Sequence, residues 1–145
     1  YSTQADCDLI ALGVSSIGRV GATYSQNAKT MEAYVDLLDQ GHFPVVRGLA
    51  LTRDDLIRRS VIMALMCQGQ LQYESINLAW LVDFKTLFAQ ELTQLEAMQA
   101  QGLLLLSETG IQVTAMGWFF VRGVAMVFDR YVQADRNRSR FSKII

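Results

Sequence analysis

Residues 13–19 come closest to a recognised chemical motif. They read Gly-Val-Ser-Ser-Ile-Gly-Arg after an apolar run, which nearly matches the phosphate-binding pattern GxxxxGK[ST]. Arg19 stands where the pattern needs lysine, and Val20 stands where a hydroxyl side chain would hold magnesium. These two replacements exclude a phosphate-binding loop. Two interpretations stay open: the small residues pack tightly, or they let the backbone approach a ligand at the end of a strand.

The sequence offers few other residues for catalysis or metal binding. His42 is the single histidine and has no second ligand at metal spacing, so we expect a solvated or hydrogen-bonded side chain. Cys67 falls in an apolar helical pattern, where a thiol behaves as a small hydrophobe. Cys7 lies between two aspartates, which disfavour its thiolate. We therefore predict no catalytic residue and no metal ligand in the chain.

Composition excludes several classes of protein. With 145 residues, 51% of them hydrophobic and 19% charged, the chain can bury a core and is not disordered. Thirteen basic and fourteen acidic residues give a net charge of −1, which provides no overall field for nucleic acid or an anionic membrane. The longest apolar stretch, 111–128, contains Arg122 and predicts a buried helix, not a membrane span. Two cysteines without a CxxC motif exclude a disulfide framework and favour the cytoplasm.

The elements that must position residues 13–19 come first in the chain. The apolar run 9–17 predicts a strand buried on both faces, as in a parallel sheet. Glycines then indicate a loop reaching Asn27, which we interpret as the N-cap of a helix over 31–38 that ends at Gly41. Strand, loop and helix are half of a βαβ unit, which cannot close a sheet by itself. The single proline, Pro44, marks a predicted domain boundary.

After Pro44 the pattern is mainly helical. Thr52 and Asp55 form a capping box that opens a predicted helix over 53–68. The elements predicted after it are helices over 73–80 and 84–102, a hairpin over 103–113 and a helix from 114 to about 132. This order resembles a winged helix, with the hairpin as the wing.

A non-enzymatic winged-helix binding module is therefore the alternative hypothesis. Over residues 130–145, five basic side chains against one acidic side chain give +4, which would suit contact with DNA. The last predicted helix, however, is apolar on nearly all sides, whereas a helix that reads DNA needs several polar groups on its exposed face. We predict no nucleic-acid partner.

Several longer motifs resemble a known enzyme family. The matching segments are 1–4 (YSTQ), 12–18 (LGVSSIG), 24–27 (YSQN), 47–55 (RGLALTRDD), 110–115 (GIQVTA) and 141–145 (FSKII). Together they are similar to oxygen-independent coproporphyrinogen III oxidase, a radical S-adenosylmethionine enzyme of haem biosynthesis. The resemblance covers the whole chain and is strongest in 47–55. It implies the C-terminal third of that enzyme.

The resemblance also implies a fold. It is an α+β class, mainly helical: residues 1–44 form the last strand–helix unit of a partial α/β barrel, and residues 45–145 form a helical domain with a winged-helix-like hairpin. We expect the chain to dock on the remainder of the barrel, which lies outside it.

The implied activity is oxidative decarboxylation of two propionates of coproporphyrinogen III to vinyl groups, giving protoporphyrinogen IX. The family uses a [4Fe–4S] cluster on a CxxxCxxC motif, and this chain has only Cys7 and Cys67, so we expect it to hold no cofactor and to be inactive alone. The family also binds a second S-adenosylmethionine against an isoleucine of the Gly-Val-Ser-x-Ile motif. That position is Ile17 here. For the substrate propionates, nothing in the sequence selects among Arg19, Arg47 and Arg53.

Overall fold

The computed structural model describes residues 7–135, which combine helices and strands in two compact units. The first unit contains the described residues up to Leu56, and the second contains those from Ile57 onwards. The predicted mixed α and β class is confirmed at this level.

The first unit is built around a three-stranded antiparallel sheet. Its strands are β1 (Ile17–Val20), β2 (Thr23–Asn27) and β3 (Val45–Ala50), in the order β1-β2-β3, and α1 (Met31–Asp39) connects β2 to β3. Gly21, with φ +54°, makes the tight turn between β1 and β2.

The prediction of a buried strand over 9–17, paired in a parallel sheet, is wrong. In the structure Leu9 makes a single antiparallel bridge to Arg19, and the regular strand begins only at Ile17. The backbone between them turns, because Gly13 and Ser15 both have positive φ, +96° and +55°. An extended strand cannot contain such residues, so the apolar run forms a loop instead.

The helix over 31–38 is confirmed as α1, but its predicted cap is wrong. Thr30 is the N-cap, since its hydroxyl accepts a hydrogen bond from the amide of Ala33 at 3.3 Å. Asn27 is instead the last residue of β2 and is buried.

The second unit begins within α2 (Arg53–Gln68), whose start is the predicted capping box. The Asp55 carboxylate accepts from the Thr52 amide at 2.8 Å, and the Thr52 hydroxyl accepts from the Asp55 amide at 3.2 Å. The elements that follow are β4 (Gln70–Gln72), α3 (Tyr73–Trp80), α4 (Phe84–Leu87), α5 (Ala89–Ala100), β5 (Leu104–Leu106), β6 (Gly110–Val113), a 3₁₀ helix (Gly117–Phe120), α6 (Val121–Met126) and α7 (Arg130–Asp135).

The predicted hairpin is confirmed as β5 and β6, but two long helices are interrupted and one strand was missed. The helix over 84–102 breaks at Phe88, and the helix after 114 breaks before Arg130. There Asp129 accepts from the amides of Tyr131 and Val132 and so opens α7 as a new helix. Strand β4 pairs with β6 and completes a sheet of order β4-β6-β5, but three residues are too short to recognise by alternation.

The core of the second unit centres on stacked and tilted aromatic rings. Phe84 stacks on Tyr73 with 4.5 Å between ring centroids, and Phe88 meets Phe128 edge-on at 5.3 Å. Aliphatic side chains from α2, α5, the sheet and α6 complete this core: Val61, Leu65, Leu95, Leu104, Ile111 and Val124.

The compact units divide later in the chain than the predicted domain boundary. Pro44 lies inside the first unit, where its carbonyl accepts from the amide of Ala28 at 2.8 Å, and β3 follows it directly. The assignment of 1–44 to a catalytic barrel and of 45–145 to a covering domain stays a prediction.

Candidate functional site

Ile17 is the first residue of β1, and the residue is 56% exposed. Along an antiparallel strand, successive residues direct their N–H and C=O groups to opposite edges. Arg19 exchanges two hydrogen bonds with Leu9, of 2.7 and 2.8 Å, at the edge of the sheet away from β2. The backbone groups of Ile17, two residues earlier, are directed to that same outer edge.

The register of the sheet places a row of three side chains across one face. Ile17 lies opposite Gln26 on β2, and Gln26 lies opposite Arg47 on β3. Residues directly opposite one another share a face of a sheet. With strands 4.7–4.9 Å apart, the Cα atoms of Ile17 and Arg47 are separated by about 10 Å. We call this row the Ile17 row. It combines an apolar group, an amide that donates to the carbonyl of Ser15 at 3.4 Å, and a guanidinium.

The structure distinguishes the three arginines that the sequence could not. The Arg19 guanidinium donates to the carbonyl oxygens of Cys7 and Gly21 and therefore holds the chain around β1. Arg53 begins α2 and lies outside the sheet. Arg47 is exposed and lies in the Ile17 row, so it shares a face of the sheet with Ile17.

Two residues that hold the segment before Ile17 were not recognised from the sequence. The Asn27 amide donates to the carbonyls of Ala11 and Gly13, and the Tyr34 hydroxyl accepts from the amide of Gly13. The sequence indicates Asn27 as a helix cap and places Tyr34 within the helix predicted over 31–38. No local signal could have found them, because each contact spans more than ten residues.

None of the remaining candidates belongs to the Ile17 row. His42 is exposed after α1, and its backbone amide donates to Leu37. Cys67 lies in α2 as predicted, but its side chain is exposed, so its predicted packing is wrong; Cys7 is exposed as well. Within residues 7–135 no three His, Cys, Asp or Glu side chains cluster as a metal site requires. The helices described here are all too short or too polar to cross a membrane.

Comparison with protein families and curated proteins identifies the relatives of the chain. Residues 51–120 match the family described as the HemN C-terminal domain. Over all 145 residues the chain is 41% identical to oxygen-independent coproporphyrinogen III oxidase from Pseudomonas aeruginosa and 41% identical to the enzyme of the same name from Escherichia coli K12. It spans 31% and 32% of the lengths of those two proteins.

A solved structure agrees with these relatives. Coproporphyrinogen III oxidase (HemN) from Escherichia coli, described as a radical SAM enzyme, matches 90% of this chain with a TM-score of 0.85 and 43% identity, over 30% of its own length. The resemblance found in the sequence motifs is therefore confirmed. The chain corresponds to about a third of the proteins it matches.

Proposed function

Since the chain carries a HemN C-terminal domain and aligns over its full length with these oxidases, we propose that it is the C-terminal part of a radical S-adenosylmethionine enzyme. That enzyme decarboxylates two propionates of coproporphyrinogen III oxidatively to vinyl groups, in the cytoplasm. The observation that carries this proposal is the 41% identity over all 145 residues.

The residues of this chain do not fit the family's iron–sulfur cluster. A [4Fe–4S] cluster is held mainly by cysteine thiolates, and the chain contains only two, on different compact units. The cluster must be held by another part of the enzyme. We expect the 145-residue chain, reconstituted with iron and sulfide, to take up no cluster and to form no 5′-deoxyadenosine. Cluster assembly on this chain alone would contradict the proposal.

Ile17 does fit a contact with S-adenosylmethionine, which supplies the radical precursor when bound. An apolar side chain that is half exposed can pack on the adenosyl group, while N–H and C=O groups directed to the outer edge of β1 can bond its polar atoms. The resemblance implies that Ile17 contacts the second S-adenosylmethionine, and these two features support that proposal.

Arg47 extends this site across the sheet. A guanidinium binds a carboxylate through two parallel hydrogen bonds, and both S-adenosylmethionine and the substrate carry carboxylates. At about 10 Å from Ile17, Arg47 can bind the carboxylate of a ligand that lies across the strands. Arg47→Lys keeps the charge but loses the paired geometry, and we expect a smaller loss of ligand affinity than for Arg47→Ala.

The exposed apolar surface of the first unit supports docking on the rest of the enzyme. Large apolar side chains are exposed along its loop, helix and strands: Leu9, Ile10, Leu12, Met31, Leu38, Phe43 and Val46. Patches of this kind mark interfaces in stable proteins. Because the chain spans about a third of its relatives, the remaining two thirds of the enzyme are the partner that we assign to this surface.

A carboxylate placed at Ile17 tests the site. In the full-length enzyme, Ile17→Asp should abolish binding of one S-adenosylmethionine, because an unpaired charge against the ligand costs several kcal/mol. Ile17→Val should cost only about 0.5–1.5 kcal/mol. Val20→Asp is the matched control, since Val20 lies on the same strand, is 50% exposed and points to the opposite face. Activity that falls only in step with thermal stability for all three variants would remove Ile17 from the site.

The winged-helix module stays the alternative, and the charges on α5 do not favour it. This helix precedes the hairpin and carries Glu91 and Glu96 without a basic residue. An acidic helix repels the phosphates of DNA. A gel-shift experiment at low salt separates the hypotheses, since salt-sensitive binding of DNA by the chain would favour the module.

A further inference from the structure

The segment 11–16, which leads into β1, has a conformation that must be held in place. Gly13 and Ser15 have φ values of +96° and +55°. The second is unfavourable for a residue with a side chain and persists only where surrounding contacts impose it. Ile17 follows this segment directly, so the conformation of the segment determines the position of the Ile17 backbone.

Asn27 provides the first set of these contacts. Its side chain is almost fully buried, with 4% of the residue exposed. The amide nitrogen donates to the carbonyl oxygens of Gly13 at 3.0 Å and Ala11 at 3.3 Å. The backbone N–H of Asn27 donates to the carbonyl of Ser16 at 3.0 Å. One residue therefore holds the segment at three points.

Tyr34, on α1, provides a contact from a second element. Its hydroxyl oxygen accepts a hydrogen bond from the amide of Gly13 at 3.0 Å. The amide of Ser15 donates in addition to the carbonyl of Ala28 at 2.7 Å. Gly13 is thus bonded through both its N–H and its C=O, which fixes the orientation of the peptide groups on either side of it.

We propose that Asn27 and Tyr34 are positioning residues for the second S-adenosylmethionine. They hold segment 11–16 so that the side chain and the outward-directed backbone of Ile17 meet the ligand. The inference rests on the proposed role of Ile17 and adds two residues that act through it. Displacements of about 1 Å from a binding geometry can cost as much as a hundredfold, so a loosened segment should weaken binding strongly.

The experiment uses full-length enzyme with Tyr34→Phe and Asn27→Ala. Tyr34→Phe removes one oxygen and is the variant that keeps the fold if Asn27→Ala does not. Asn77→Ala is the matched control, because the Asn77 side chain also accepts from a backbone amide, that of Phe84 at 2.8 Å, but belongs to the second unit. Hydrogen exchange of the peptide that covers 11–16 measures the holding contacts, and equilibrium dialysis measures the number and affinity of bound S-adenosylmethionine.

Both variants should speed exchange of this peptide about tenfold, the effect of losing one or two ordinary hydrogen bonds. The affinity of one S-adenosylmethionine should fall by at least the same factor, whereas Asn77→Ala should lower thermal stability and change neither quantity. Unchanged exchange, or faster exchange with wild-type affinity, would overturn the inference. Normal binding by Ile17→Asp would instead overturn the proposed site, and the exchange result would still report whether the segment is held.

Discussion

The folds of the two compact units are stabilised by different forces. Among the described residues of the first unit, the buried apolar side chains are those of Ala28 and Pro44, and all six residues of β3 are exposed. The second unit buries three phenylalanines and a set of aliphatic side chains completely. Hydrophobic burial is the main favourable term in folding, so the second unit contains its own source of stability.

This difference bears on whether each unit can be stable without contacts to other parts of a protein. The first unit keeps its conformation through sheet pairing and through side-chain contacts such as those of Asn27 and Tyr34. Net hydrogen-bond contributions are about 1 kcal/mol each, which is too little to compensate the entropy of ordering a segment of this length. The apolar surface that this unit exposes is available for the docking proposed above.

The largest expected effect tests the core of the second unit. Phe88→Ala should lower the free energy of unfolding by about 3–5 kcal/mol, because Phe88 is fully buried against Phe84 and Phe128. Phe119→Ala is the control, since Phe119 is 88% exposed, and its effect should stay within about 0.5 kcal/mol. Urea unfolding measures both, and equal losses would contradict the assignment of the core.

Replacement of two glycines of the second unit by alanine should change the stability of the fold in opposite directions. A Cβ atom on Gly117 would lie 1.7 Å from the carbonyl oxygen of Leu103, so Gly117→Ala should cost about 3 kcal/mol or more. Gly123 lies in α6 with nothing within 4 Å of its Cβ position, and Gly123→Ala should stabilise by about 0.5–1 kcal/mol. Thermal unfolding of the two variants checks the backbone packing directly.

Substitutions on the exposed apolar surface of the first unit should change stability only in the full-length enzyme. Phe43 is 89% exposed, so Phe43→Ser should leave the unfolding of the isolated chain almost unchanged. In the full-length enzyme the same change should cost about 1.5–3 kcal/mol if Phe43 is buried there. Paired melting curves of chain and enzyme make the comparison. The same small shift in both would place Phe43 outside the docking surface.

The smallest expected effect is a dependence on pH in the second unit. Hydrogen bonds that the Thr86 side chain and backbone amide donate to the Asp83 carboxylate hold the pKa of Asp83 below its ordinary value of 3.8. A carboxyl group with a lowered pKa stabilises the fold at pH values above its ordinary pKa, here 3.8. This contribution is lost as the pH falls through the lowered pKa. Asp83→Asn should thus be less stable than the wild type near neutrality, with the difference closing below pH 3.8. A difference that stays constant from neutral pH to acid would show that Asp83 does not supply it.

The start of α2 and much of the second unit were predictable from local patterns. Thr52 and Asp55 satisfy each other's backbone groups within one turn, so the start of α2 follows from four residues. The hairpin and the start of α3 were likewise indicated by short periodic runs and turn residues. The breaks at Phe88 and before Arg130 were not, because the helical periodicity continues across both.

The sequence by itself determined the resemblance to these oxidases, the mixed fold class and the bounds of α2 and α3, because these depend on motifs and on contacts between near neighbours. Only the tertiary structure decided the course of residues 9–17, the antiparallel sheet and the roles of Asn27 and Tyr34. It also decided which arginine shares a row with Ile17. Each of these depends on pairing between residues far apart in the chain. Hydropathy alone cannot distinguish a buried strand from a loop that is turned back by its glycines and by hydrogen bonds from polar side chains.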